Sequence, residues 1–293
     1  MIVSKLEQPG QWQQWEPPFV WQDRVPHTDS DLHQGADGWL LMGASRRGRL
    51  HAHEATFRED AFQIAVADDW HFAAVADGAG SCSLSRVGAT QAVQTALTAM
   101  QARLINAEPS QAIVHSALSM SLECAWHTVY QEALHRQSNR IYFQDFSTTL
   151  LLLAFHSGEN LVGIAQVGDG LIAAQFEDNT IRLFGEPDSG EYAGQTHFLT
   201  SYSPDTLSSK ADTFYLDSPA HLFMVMTDGL SDDLFPPQKK LSGLIKPLPK
   251  VCQQDQPEEA LLSLLNYERA GSFDDRTLVV LCQSETLQSP KGR

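Results

Sequence analysis

His71-Phe-Ala-Ala-Val-Ala-Asp77-Gly78-Ala-Gly80 is a strand-sized apolar run that stops on an aspartate. Its apolar side chains need burial, so the carboxylate just beyond them lies at the rim of a core. The preceding Phe62-Gln-Ile-Ala-Val-Ala67 has the same character, and the two read as a hairpin turning at Asp68-Asp69. The same pattern returns at Ala165-Gln-Val-Gly-Asp169-Gly170, at Met224-Val-Met-Thr-Asp228-Gly229 and, reversed, at Asp274-Asp275 before Thr277-Leu-Val-Val-Leu281. Rims of this kind brought together crowd like charges, which is unfavourable unless cations neutralise them. Hard oxygen donors without interleaved His or Cys favour magnesium or manganese over zinc.

Outward from the hairpin, the spacing predicts a helix from Ser85 to about Asn106, with Val87, Leu97, Met100 and Leu104 near one face. A second helix follows Pro109-Ser110, carrying Ile113, Ala117, Leu118, Leu122, Ala125 and Val129 at spacings of three and four. Strands are expected at Trp39–Ser45, Thr148–Phe155, Leu161–Val167, Leu171–Phe176, Thr180–Phe184, Phe214–Leu216, His221–Met226 and Thr277–Gln283, with a helix at Pro257–Ala270. Strand runs and helix runs are grouped rather than alternating, which favours an α+β fold with antiparallel sheets.

Six short motifs also resemble, in order, the metal-dependent type 2C serine/threonine protein phosphatases. They are Arg58-Glu59-Asp60-Ala61-Phe62, Val75-Ala76-Asp77-Gly78-Ala79-Gly80 and Ser147-Thr148-Thr149-Leu150, then Val167-Gly168-Asp169-Gly170, Thr227-Asp228-Gly229-Leu230-Ser231-Asp232 and Phe273-Asp274-Asp275-Arg276-Thr277-Leu278-Val279-Val280. Each alone is weak, since Asp-Gly is an ordinary turn dipeptide; six in order are hard to attribute to chance. The run from Asp188 to Thr196 resembles a bacterial branch of the family. The resemblance implies an α-β-β-α sandwich, two stacked antiparallel sheets flanked by helical layers. It implies two Mn2+ or Mg2+ ions bridged by Asp77, with the Gly78 carbonyl and Glu59 on one and Asp228 and Asp274 on the other. Asp60 would support them from behind, and Asp169 with Asp228 would hold a third, weaker ion. The implied reaction is hydrolysis of phosphoserine and phosphothreonine in proteins by a metal-activated water. The implied partner is a phosphorylated protein, with a cognate serine/threonine kinase or its target the expected one. A weakly catalytic phosphoprotein-binding module and a small-molecule phosphomonoesterase of the same fold are the alternatives.

Two positions depart from that pattern. The family often places a phosphate-gripping arginine four residues before the Glu59 position, where this chain has Ala55; Arg58, Arg46 and His53 are the open substitutes. Animal members place a proton-donating histidine where this chain has Ala79. Other chemistries lack their motifs: there is no His-Glu-x-x-His, no Walker loop, and Gly43-Ala-Ser-Arg-Arg47 breaks the nucleophile-elbow pattern.

The 293 residues suit one large domain, residues 39–285, after a mostly irregular extension at 1–38 and before a tail at 286–293. Trp12, Trp15 and Trp21 in that extension are expected either to pack onto the domain or to dock a partner. Lys239, Lys240, Lys246 and Lys250 mark a surface loop or helix, with substrate docking as the alternative. A net charge of −16 argues against nucleic acid or an anionic membrane as partner. Four cysteines without metal-ligand spacing, no membrane-length apolar run and no secretory h-region point to a cytoplasmic setting.

Overall fold

Period-two alternation decides which way each strand's side chains face, and here both faces are apolar. In the computed structural model, which describes residues 12–18, 22–136, 140–185 and 196–283, the chain runs β1 (Thr28–Gln34), β2 (Trp39–Arg46), α1 (Arg49–His53), β3 (Ala61–Ala67), β4 (Trp70–Ala76), α2 (Ser85–Leu104) and α3 (Gln111–His135). There follow β5 (Leu150–His156), β6 (Leu161–Val167), β7 (Leu171–Phe176), β8 (Ile181–Phe184), β9 (Ala211–Tyr215) and β10 (Ala220–Met226). The chain continues through α4 (Asp228–Ser231), α5 (Pro237–Ile245), α6 (Leu248–Val251), α7 (Pro257–Leu264) and β11 (Arg276–Gln283).

The strands form two sheets, β1-β2-β11-β10-β7-β8 and β3-β4-β5-β6-β9. Every neighbouring pair is antiparallel. Along β5, Leu151, Leu153 and Phe155 face the other sheet and meet Phe223, Val225, Val279 and Leu281. The alternate residues Leu150, Leu152 and Ala154 turn outward onto α2 and α3. On the far sheet, Met224, Leu278 and Val280 turn outward onto Leu241, Leu248 and Leu261 of α5 to α7. The result is the expected helix-sheet-sheet-helix sandwich with three apolar layers. Doubly buried strands explain why the sequence runs were continuously apolar rather than alternating.

Several expectations need correcting. Within the extension to residue 38, for which no strand was expected, Thr28–Gln34 is an edge strand paired with β2, Leu32 opposite Met42. Its side chains are exposed or half-buried, so backbone hydrogen bonds hold it where no hydrophobic pattern marks it. The helix expected to reach Ala270 ends at Leu264, because Leu265 and Tyr267 turn their carbonyls onto the buried Arg276 guanidinium. Of the lysine cluster, Lys239 and Lys240 lie on α5, Lys250 on α6 and Lys246 just past the end of α5, all four side chains exposed. Trp12 stacks on Phe273 at 4.6 Å between ring centroids, and the Trp15 N–H donates to Ala52 O at 2.8 Å. Trp21, most of Asp188–Thr196 and the tail at 286–293 fall outside the described residues. No helix among the described residues is long and apolar enough to cross a membrane.

Candidate metal centre

Register brings the strand ends together. Ala61 pairs with Ala76, so Glu59 and Asp60, entering β3, lie beside Asp77, leaving β4. Met226 pairs with both Leu278 and Leu171, so Asp228 leaves β10 between the start of β11, with Asp274 and Asp275, and the β6–β7 turn, with Asp169. Both sheets end at this rim, and the carboxylates from all these elements meet there.

The buried members act as braces. Asp275, 1% exposed, accepts through Oδ1 from Gly48 N at 2.5 Å and His51 Nδ1 at 2.9 Å. Its Oδ2 accepts from Glu59 N at 2.6 Å. One side chain therefore fixes the backbone carrying Glu59 and Asp60 as well as the start of α1. Asp60 crosses between the sheets: its Oδ2 accepts from Thr227 Oγ1 at 2.8 Å and Thr277 Oγ1 at 2.6 Å. Thr149 Oγ1 accepts from Asp77 N at 2.8 Å, and Thr149 N donates to Asp77 O at 2.8 Å. Gly168, at φ +106°, makes the turn that presents Asp169. At Gly78 a Cβ would come within 2.9 Å of Glu59 O, so the backbone can pass close to the cluster only as glycine.

Crowding shows in the ionisation of these groups. Burial, then the Asp228 charge, pushes Asp77 well above the usual carboxylate range. Burial and Asp169 raise Asp228 to about 8. Burial and Asp275 raise Asp60 to about 7, and burial raises Glu59 to about 7. Asp274 is also raised, by burial and Asp275, although its side chain keeps an open face to solvent. Burial opposes a charge on His51, but bonded Asp275 and nearby Glu59 outweigh it and raise the imidazole to about 9.

Glu59 Oε2, Asp60 Oδ1 and Asp169 Oδ1 are buried oxygens without a hydrogen-bond donor. Carboxylates that repel one another and oxygens that lack donors fit divalent cations held by hard ligands. His51, Asp274 and Asp275 also lie within metal-ligating reach of one another.

Sequence reasoning missed His51 and the bracing role of Asp275. The Asp274-Asp275 doublet was a visible signal for the second, whereas nothing local separates His51 from the other histidines.

The three proposed phosphate grips are placed differently. Arg58 is 2% exposed and donates to Pro26 O and Asp29 Oδ2 at 3.2 and 3.3 Å, so it is turned into the protein and does not offer itself to a substrate. His53 Nδ1 accepts from Gln13 N, and Trp12 packs edge-on against its ring. Arg46, at the end of β2, lines a cavity of about 180 Å³ with Arg47, Gly48, Arg49, Arg276 and Asp274 among its walls. Arg47 and Arg276 are committed to backbone carbonyls, whereas no acceptor is paired with Arg46 among the described residues. Ala55 has φ +58° and closes α1, with Thr56 N donating to His51 O at 2.9 Å. The arginine's place is thus taken by a helix end.

The protein phosphatase 2C family model matches residues 47–266. The serine/threonine-protein phosphatase 3 of Escherichia coli (strain K12) is 31% identical over 197 residues, 66% of this chain and 74% of that protein. Among solved structures, the catalytic domain of the serine threonine protein phosphatase PstP, in complex with two manganese ions, superposes with a TM-score of 0.54. It is 18% identical, with 83% of this chain and 97% of that one covered. RsbX in complex with magnesium gives 0.52 at 14% identity, covering 87% and 99%. At those identities the superpositions support the fold, and the sequence matches carry the kinship: the chain belongs to the protein phosphatase 2C family.

Proposed function

We propose that this chain removes phosphate from phosphoserine and phosphothreonine in proteins, using divalent cations held at the shared rim of its two sheets. The observation that carries the reading is the convergence of Glu59, Asp60, Asp77, Asp169, Asp228 and Asp274 at one edge, with buried oxygens that lack donors. Asp77, Asp228 and Asp274, the Gly78 carbonyl and Glu59 are the ligands for two ions, and Asp169 with Asp228 for a third. The oxygen-only set suits Mn2+ or Mg2+. When bound, such ions neutralise phosphoryl oxygens and make water a nucleophile near neutral pH.

The chain's own groups do the rest. Asp275 and Asp60 hold the ligand-bearing backbone rigid across both sheets. Arg46 is the group placed to meet the substrate phosphate, through a charge-assisted contact. Ala79 has no ionisable group, so that position gives the leaving group no proton. The setting we infer is cytoplasmic, and the substrate a serine/threonine kinase or one of its targets. The segment before residue 39 is the docking candidate; Trp12 and Trp15, packed on the domain yet each 41% exposed, leave it a surface to offer.

Turnover of a phosphothreonine peptide, measured after chelation and after adding manganese, tests this. Activity should vanish on chelation and return with the metal. A rate indifferent to metal, or metal binding without turnover of phosphopeptide, would contradict the reading, the latter in favour of a phosphoprotein-binding module.

A further inference from the structure

At the opposite end of β11 from Asp274, two thiols are in contact: Cys252 Sγ, just past α6, lies 3.0 Å from Cys282 Sγ. Both are free thiols, and they are the one thiol pair in contact among the described residues. Cys282 is completely buried on a central strand, between β2 and β10. Cys252 is half-buried at the edge of the same apolar layer. Cys282 lies eight positions along the chain from Asp274, most of them in β11, roughly 25 Å at the usual rise, so the pair stands apart from the metal centre. The sulfurs need approach by only ~1 Å to reach bonding distance.

We propose that Cys252 and Cys282 form a peroxide-oxidisable dithiol, in which Cys252 reacts first and Cys282 closes a reversible disulfide tying α6 to β11. The asymmetry of the pair sets the order. Cys252 is the thiol an oxidant can reach. A hydrogen bond from Cys282 also holds Cys252 below the usual thiol range, while the same bond and burial push Cys282 well above it.

The Cys252 thiolate attacks hydrogen peroxide; an S–O bond forms, the O–O bond breaks and hydroxide leaves. Cys252 is thereby oxidised by two electrons to a sulfenic acid and the peroxide is reduced. Cys282 sulfur then attacks Cys252 sulfur; the S–S bond forms, the S–O bond breaks, and the departing hydroxide takes the Cys282 proton as water. Two equivalents of a reducing thiol then restore both cysteines by exchange: the first attacks the disulfide to give a mixed disulfide and free one cysteine, and the second releases the other cysteine and leaves the reductant as its own disulfide. In a reducing compartment the pair therefore stands as dithiol, as in this structure, and closes under peroxide stress.

The test treats the magnesium-loaded full chain with stoichiometric hydrogen peroxide, blocks the remaining thiols and maps peptides. A cross-link joining Cys252 to Cys282, reversible by dithiothreitol, is expected. Closing a loop of roughly thirty residues should raise the melting temperature by about 5–10 °C. Cys252→Ser, and Cys252→Ala as a second variant should serine disturb packing, should show neither change, and Cys282→Ser should leave Cys252 trapped as a sulfenic acid. Oxidation of Cys82 or Cys124 ahead of Cys252, or passage of wild-type Cys252 to sulfinic acid without a cross-link, would overturn the proposal.

Discussion

The space between the two sheets and the rim where they end are built from the same strands, yet they obey opposite logic. Between the sheets, Phe155, Phe223, Val225, Val279 and Leu281 are almost wholly buried against one another, and each contact favours folding. At the rim, burial and then neighbouring carboxylates raise the pKa values of Asp60, Asp77, Asp228 and Asp274, and each added charge opposes folding unless a cation is present. The interior is complete in itself, and the rim is complete only with ligands. The apolar layers supply the stability that keeps those charges close.

Separating the two should give effects of graded size. Phe223→Ala removes a fully buried ring where both sheets meet and should cost about 3–5 kcal/mol of stability. Folded molecules of that variant should still bind manganese with near-normal affinity, as read by calorimetry below the melting temperature. A large loss of affinity would mean that core and rim are not separable.

Asp275→Asn should act on both regions at once. The introduced amide would face N–H donors now served by carboxylate oxygens. A loss of about 2–3 kcal/mol in denaturant unfolding is expected, with weaker manganese binding because Glu59 loses its anchor. Unchanged stability would remove Asp275 from its bracing role.

Metal-free protein should report the rim's crowding through pH. Asp228 and Asp60 have folded pKa values of about 8 and about 7, above their unfolded values. The fold therefore favours their protonated forms, and that stabilisation, full below the unfolded pKa values of about 4, is lost progressively as pH rises from there to the folded values. Melting temperature should fall between roughly pH 4 and 8 without metal and stay level with saturating magnesium. His51, raised from 6.5 to about 9, keeps its proton in the fold after the unfolded chain has lost it, so above about pH 6.5 it adds to this fall. A metal-free melting temperature that rises over that window would show that the carboxylates are not crowded.

Smallest is Ala55→Gly. Ala55 holds φ +58° at the end of α1, where glycine avoids the side-chain penalty, so a gain of up to about 1 kcal/mol is expected. A loss of stability would mean that the Ala55 methyl makes contacts worth more than the relieved strain.

The contrast also explains what could be read from the sequence. Layers that bury both strand faces leave unbroken apolar runs, so β6 and β7 were placed to the residue and α2 and α3 nearly so. The aspartates were visible because they interrupt those runs. Strand β1 was not, since Thr28-Asp-Ser-Asp-Leu-His-Gln34 is an edge held by backbone bonds with little burial. Helix α1 has five residues, too few for a period, and it accounts for both the unread His51 and the arginine's absence at Ala55. Arg58, Arg46 and His53 were equally open substitutes for the phosphate-gripping arginine, and Arg58 is buried and bonded to Pro26 O and Asp29. Its exclusion leaves Arg46 as the candidate that no sequence pattern ranked above the others.

The central claim is that the rim binds the cations on which turnover depends, with Asp77 shared between two of them. Manganese titration of wild type and Asp77→Asn by calorimetry, paired with turnover of one phosphothreonine peptide, tests it most directly. The account predicts a folded variant with weakened manganese binding and a rate reduced at least about a hundredfold, ~2.7 kcal/mol in the barrier. A folded variant that binds manganese as wild type does and keeps more than about a tenth of its rate, a change under ~1.4 kcal/mol, would contradict it.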